Sequence, residues 1–388
     1  MRDALLVLNA GSSSIKFAVY AVAAGDPECL LRGQIAGIGR AARFTAQAVE
    51  DDAPETRAVE AVDHAQALDG LLDWLDETIS DLRILGAGHR VVHGGPDRDG
   101  PRRIDRVERD ALAAFIPLAP HHQPHNLAAI DALARRDPNL RQVACFDTAF
   151  HAHQEAVARR LPLPAEYEAR GLLRYGFHGS SYEYVSGEVA RMDRGVTRVL
   201  IAHLGNGGSL CAVRDGVSVA TTMGFSTLDG LLMGTRCGAL DPGVILHLLR
   251  EGMGEEALRA LLYDRSGLLG VSGISADMAV LLNSEAAGAR RAVELYCHSL
   301  IRQMGAMIAA MEGVDALVFT GGIGENAAPI RERVCARLRW LGVALDAQAN
   351  ARNAREIGAE DSRVPVWVIP TDEERVIARH TWALIRPG

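Results

Sequence analysis

The sequence predicts an α/β protein built from two related domains, and three observations carry the prediction. At 388 residues the chain exceeds the size at which one hydrophobic core stops growing. An apolar strand, a polar turn and a returning strand open the chain, and the same design comes back near residue 198. Each copy then runs into alternating strand-like and helix-like segments, the order of an α/β sheet. With 48% hydrophobic and 23% charged residues there is no biased tract, and nothing repeats at short period, which excludes solenoids and propellers.

Taken in order, Leu5–Leu8 and Ile15–Tyr20 read as strands around a turn, and strand character continues to about Gln34. A polar segment follows to about Glu60. Ala65, Leu68, Leu72, Leu75 and Ile79 recur at helical spacing, so residues 61–79 read as an amphipathic helix. Ile84–Val92 is a strand ending in Gly94-Gly95-Pro96. Two helices, Val107–Phe115 and Asn126–Arg136, precede the strand Gln142–Phe146. In the second half, strands 198–204 and 209–214 flank the turn Gly205–Gly208, and Asp215-Gly216 is a hairpin signal before strand 217–221. A long helical stretch, 284–311, feeds the strand 315–319 and the glycine turn Thr320–Asn326, which passes into a helix. That order brings bare backbone and a helix N-terminus to a phosphate or nucleotide. Val366–Ile369 is a last strand, and Thr371-Asp-Glu-Glu374 caps a final helix with acidic residues in its first turn.

Bulk properties narrow the function. A net charge of -8 argues against a nucleic-acid surface. No apolar run is long enough to span a bilayer, and Asn9 interrupts an N-terminal stretch too short for a signal peptide. Six scattered cysteines without Cys-x-x-Cys spacing suit a reducing cytoplasm.

Three glycine-bearing turns stand out: Asn9–Ser14, Gly205–Gly208 and Gly321–Asn326. None is a Walker A loop or a dinucleotide fingerprint. Together they point to a nucleotide lying between two domains. Just after the first comes Lys16, the only lysine among 41 lysine and arginine residues. Small hydroxyls, backbone N–H groups and one ammonium suit phosphate oxygens, although an ordinary hairpin has the same composition. Arg90 beside Gly94-Gly95 and Arg236 in Met233-Gly-Thr-Arg236 place guanidinium groups near little steric bulk, suited to phosphoryl oxygens or a carboxylate. Asp147 after a buried strand and Glu373 at a helix start are positions from which a carboxylate holds Mg²⁺ or orients another group. His178 lies in another glycine-flanked turn. The pairs His121-His122-x-x-His125 and His151-x-His153 lack a completing zinc ligand, no Gly-x-Ser-x-Gly elbow exists, and no cysteine has an activating context.

Jointly, these segments resemble the acetokinase family of short-chain carboxylate kinases. The matching stretches are Asn9–Lys16, His89–Gly95, Phe146–His151, Tyr175–Gly179, His203–Gly207, Met233–Arg236, Phe319–Asn326 and Thr371–Glu374, in the family's order. The resemblance implies two actin-like (ribonuclease H-like) domains with a nucleotide cleft between them, covering residues 1–150 plus 376–388 and 151–375. It also implies a homodimer and MgATP-dependent phosphorylation of a small carboxylate, with Mn²⁺ as an alternative ion. By position, Asn9 and Glu373 serve the metal and its ligands. Ser12, Ser14 and Lys16 lie near the phosphates. Arg90 and Arg236 hold the carboxylate and the transferring group, His178 stabilises the transition state, and Asp147 orients the substrate or a partner arginine. His203, Asn206, Gly207, Asp277, Gly322, Ile323, Gly324 and Asn326 line the nucleotide. Val92, His122 and Phe177 belong to the acid pocket.

Some positions depart from the family pattern. His121 and Thr227 stand where apolar residues usually enclose a methyl group, which favours a hydrogen-bonding two-carbon acid such as glycolate over propionate or butyrate. Ala279 and Ala239 replace an arginine and an acidic residue on the nucleotide side, leaving the donor open to another nucleotide or pyrophosphate. A non-catalytic nucleotide-binding protein is the alternative of another class.

Overall fold

The computed structural model describes residues 1–388 apart from positions 12, 13, 52, 80, 121, 194, 387 and 388. Ser12 and His121 therefore lie outside the described residues. The chain divides into two units, Met1–Ala152 with Asp372–Gly388, and His153–Thr371.

The first unit holds strands β1 (Arg2–Ala10), β2 (Ser14–Ala21), β3 (Glu28–Ala36), β4 (Arg43–Ala48), β5 (Glu55–Ala58), β6 (Leu82–Val91), β7 (Arg102–Arg103) and β8 (Arg141–Phe146). They form one sheet in the order β5-β4-β3-β2-β1-β6-β8-β7. Strands β4 and β5 occupy the segment expected to be merely polar. The second unit holds β9 (Arg198–Leu204), β10 (Gly208–Arg214), β11 (Val217–Thr221), β12 (Ala316–Thr320) and β13 (Val366–Val368), ordered β11-β10-β9-β12-β13. Both sheets share one plan. In β3-β2-β1-β6-β8 and in β11-β10-β9-β12-β13, two antiparallel neighbours precede two parallel ones. This is the actin-like arrangement.

Helix His64–Thr78 starts where the Asp63 carboxylate accepts from the Gln66 N–H at 2.9 Å, and it buries Ala67, Leu68, Leu71, Leu72 and Leu75. Ala65, expected on that stripe, is exposed. Together with helix Gln123–Arg136 it covers one face of the first sheet, and Trp74 packs edge-on to Phe44 at 4.8 Å between ring centres. Helix Glu373–Ile385 covers the other face, against β1, β6 and β8. Gly88 allows that approach: a Cβ there would sit 2.3 Å from Thr381 Oγ1. This packing returns the chain to the first unit at Asp372 rather than after residue 375, so Glu373 and Glu374 belong to the first unit. In the second unit the core lies between the sheet and the long helix Ala287–Ala310, while helix Gly179–Met192 runs along β9.

Candidate active site

In the first unit the parallel strands β1, β6 and β8 end on one edge of the sheet, the usual edge for ligands in α/β sheets. Asn9, Arg90 and Asp147 sit at those ends. Asp147 is buried and takes Arg90 as a fork, Nε to Oδ1 at 2.8 Å and Nη2 to Oδ2 at 2.6 Å. Nη1 of Arg90 donates to Asn9 Oδ1 at 3.2 Å. Burial pulls the Arg90 guanidinium down, but Asp147 and Glu373 outweigh it and push it up, so the group is a fixed cation. Glu373, half-buried at the start of its helix, is pushed up by burial and pulled back by Arg90. Glu374 is pushed up by burial and by Glu373 beside it. Asn126 ties two strand ends together, donating from Nδ2 to the Ala10 carbonyl at 2.8 Å and accepting from the Val92 N–H at 3.0 Å. Sequence reasoning missed Asn126, which reads there as one more polar residue of a helix. Val92 is buried, and His122 is half-buried as the residue that opens helix Gln123–Arg136. Ser14 begins β2 with its carbonyl accepting from the Gly11 N–H at 2.8 Å. Lys16 pairs with Asn9 across β1 and β2, and its side chain is exposed.

The second unit gathers a second group at the ends of β9 and β12, where His203 pairs with Thr320. The turn after β9 is linked to the arginine loop by the Gly234 N–H, which donates to the Asn206 carbonyl at 3.1 Å. That link brings Arg236 to Gly207, and the Ser209 hydroxyl, 2.8 Å from His178 Nδ1, holds His178 beside the same turn. A Cβ on Gly207 would lie 3.5 Å from both Nη atoms of Arg236 and 3.7 Å from His178 Nε2. Arg236 donates to the Thr227 carbonyl at 2.9 Å and approaches Met233 Sδ at 3.7 Å. Phe177 is buried next to His178 in the chain, and Thr227 is half-buried. The rings of His178 and His203 stack at 4.3 Å.

Among the residues expected to line a nucleotide, a Cβ on Gly234 would meet the Ala276 carbonyl at 3.3 Å, which sets the Ala276-Asp277 turn beside the same loops. Asp277 is exposed and caps a short helix by accepting from the Ala279 N–H at 2.8 Å. Gly321 lies against the end of β9, 2.8 Å from the Leu204 carbonyl by the same measure. Its N–H, however, already donates to Glu325 Oε1 at 2.8 Å, so an internal carboxylate takes the position expected for a phosphate. Gly322 and Asn326 are exposed, Ile323 half-buried and Gly324 buried. Behind them Arg331, with no exposed surface, donates to the carbonyls of Gly324 and Glu325 and to Asn350 and Asn353. Sequence reasoning picked arginines beside glycines and so missed this one, whose chain neighbours Ile330 and Glu332 carry no such signal.

The family model described as the acetokinase family matches residues 4–379. An acetate kinase of Rhodopseudomonas palustris strain TIE-1 is 50% identical over the whole of both chains. The crystal structure of an acetate kinase from Porphyromonas gingivalis superposes with a TM-score of 0.87 at 34% identity, covering 99% of this chain and 100% of that one. A propionate kinase from Francisella tularensis superposes with a TM-score of 0.90 at 34% identity, covering 97% and 98%.

Proposed function

Because the chain belongs to the acetokinase family, we propose that it transfers the γ-phosphoryl group of ATP to acetate, giving acetyl phosphate and ADP. A carboxylate is already a nucleophile, so the residues need supply no strong base. The obstacle is repulsion between two anions, relieved by cations and N–H donors aimed at the transferring group. One observation carries the reading: Arg236 and His178 converge on Gly207, a position without a side chain, so a guanidinium and an imidazole face one small space of the size a phosphoryl oxygen needs. Arg90, held by Asp147 and Asn9, serves the acid and the transferring group.

A divalent cation fits the donors present. The Asn9 amide and the Glu373 carboxylate would offer it oxygen donors. Hard oxygen donors suit Mg²⁺, or Mn²⁺ in its place, which keeps water and phosphate oxygens in its coordination shell. When bound, the ion would neutralise phosphate charge.

The test is acyl phosphate trapped as its hydroxamate from ATP and a panel of small acids, with Arg236→Ala as the control. Product with acetate, lost in the variant, is expected; no product from any acid would overturn the reading. Thr227 favours a second acid. At its position, where the family's acid pocket carries an apolar residue, this chain has a hydroxyl, and glycolate then competes with acetate. Clear preference for acetate over glycolate in the same panel would discard that reading. Titrating ATP, GTP and pyrophosphate against one acid decides the donor.

Helix Pro242–Arg250 buries none of its residues and leaves Val244, Leu246 and Leu249 exposed at 41%, 55% and 45%. A second copy of the chain covers this face in the homodimer implied by the family. No helix among the described residues is long and apolar enough to cross a membrane. The six cysteines, scattered without Cys-x-x-Cys spacing, suit a reducing cytoplasm, the proposed site of action.

A further inference from the structure

The first turn of helix Gly179–Met192 organises both stacked histidines. His178 precedes it with a left-handed backbone, φ 60° and ψ 25°. A non-glycine residue held there costs about 1–2 kcal/mol and persists where its surroundings fix it. Ser181 Oγ lies 2.8 Å from His203 Nδ1. Tyr182 Oη lies 2.5 Å from Ser209 Oγ, which in turn lies 2.8 Å from His178 Nδ1. Tyr182 and Ser209 have no exposed surface, so this chain of contacts is shut away from bulk water.

A hydroxyl has one hydrogen and two lone pairs, which gives the chain a direction. Of the two hydroxyls the phenol is the poorer acceptor, because its oxygen lone pair is delocalised into the ring, and the alkyl hydroxyl of serine is the better one. Tyr182 therefore donates to Ser209, and the serine hydrogen turns to His178 Nδ1. A ring that accepts at Nδ1 carries its own hydrogen at Nε2, the nitrogen that approaches Gly207 with Arg236. Stacking on His203 holds the ring in place.

We propose that Tyr182 and Ser209 are positioning residues that hold His178 in the tautomer with its hydrogen on Nε2, aimed at the transferring phosphoryl group. The inference rests on the phosphoryl-transfer reading of His178. No proton changes hands: His178 donates one hydrogen bond throughout, and the two hydroxyls decide which nitrogen makes it.

Two measurements test it. In ¹⁵N-histidine-labelled enzyme, the His178 resonances, assigned with a His178→Gln variant, are expected to show a protonated Nε2 and a bare Nδ1. In Ser209→Ala that pattern is lost, and kcat falls roughly 10–100-fold, the size found when an outer partner of a functional histidine is removed. KM for ATP and acetate stays within about twofold, since binding groups are untouched. Tyr182→Phe gives a smaller fall of the same kind, and Ser209→Thr, which keeps the hydroxyl, restores part of it. A hydrogen on Nδ1 in the native enzyme overturns the proposal, as does unchanged kcat in Ser209→Ala. Should Ser209→Ala fail to fold, Tyr182→Phe carries both measurements. Absence of acyl phosphate from the native enzyme overturns the reaction instead, while the tautomer pattern is read independently of it.

Discussion

Arg90 and Asp147 lie 57 positions apart and meet because β6 and β8 run parallel in register, with Arg90 opposite Cys145. Each was legible in the sequence as a candidate, but their pairing depends on register, which no local pattern contains. The same holds for His178 and Ser209, 31 positions apart: Ser209 reads in the sequence as one residue of a strand. Replacing Asp147 by Asn keeps the shape and removes the charge that fixes the Arg90 fork. Breaking a buried pair on one side costs about 3–5 kcal/mol. We expect a lower Tm in thermal melts and a fall in kcat/KM for acetate on the order of 100-fold, the scale of a small misplacement at a reacting centre. Two other buried histidines govern stability against pH. Burial pulls His89 and His93 down to about 4, against about 6.5 in an unfolded chain. Both therefore stay neutral in the fold while the unfolded chain takes up protons. Stability is full above pH about 6.5 and is lost as pH falls toward about 4, by roughly 3 kcal/mol for each fully buried histidine. Urea unfolding at pH 7 and pH 4.5 measures the loss, and His89→Gln should remove about half of it.

At the scale of elements, most strands and helices were legible because their apolar positions keep a clear period. The exceptions include β4, β5, β7 and helix Gly179–Met192. β5 is exposed at every residue and joins the sheet edge through backbone bonds and the Arg57 guanidinium over the Phe44 ring, so the hydrophobic pattern that marks other strands is missing. The glycine helix Gly321–Asn326 was legible as strand, turn and helix, yet what holds it was not. Glu325 takes its first N–H and Arg331 takes two of its last carbonyls, so both ends are fixed from inside the protein. Arg331→Lys keeps the charge but cannot reproduce a planar fork spread over four residues. Several unpaired buried groups at about 1–3 kcal/mol each should lower Tm clearly and raise KM for ATP, with KM for acetate little changed. Gly207→Ala tests the neighbouring turn differently. The added methyl makes ordinary contacts at 3.5–3.7 Å, so the fold should survive with its Tm nearly unchanged. The methyl covers Arg236 and His178, and kcat should fall at least about tenfold, or 1.4 kcal/mol of transition-state stabilisation.

For the whole molecule, the repeated opening design proved to be a repeated sheet. The three-strand antiparallel start and the two parallel strands that follow recur in both units, although the first sheet adds β4, β5 and β7. The sequence showed the two hairpins but not that the parallel strands complete the same order, because strand order is set by packing over long separations. The exposed helix Pro242–Arg250 makes a prediction at this scale. Leu246→Arg with Leu249→Glu should shift the chain from dimer to monomer in light scattering, with the thermal stability of the single chain nearly unchanged. Lys16 gives the molecule a further property. With its side chain exposed on β2 and no second lysine anywhere, it is the only side-chain amine in 388 residues. An acylating dye can therefore mark one defined point beside the first glycine turn, apart from the terminal amine. The rate of that labelling, with and without nucleotide, becomes an optical gauge of occupancy that needs no engineered cysteine.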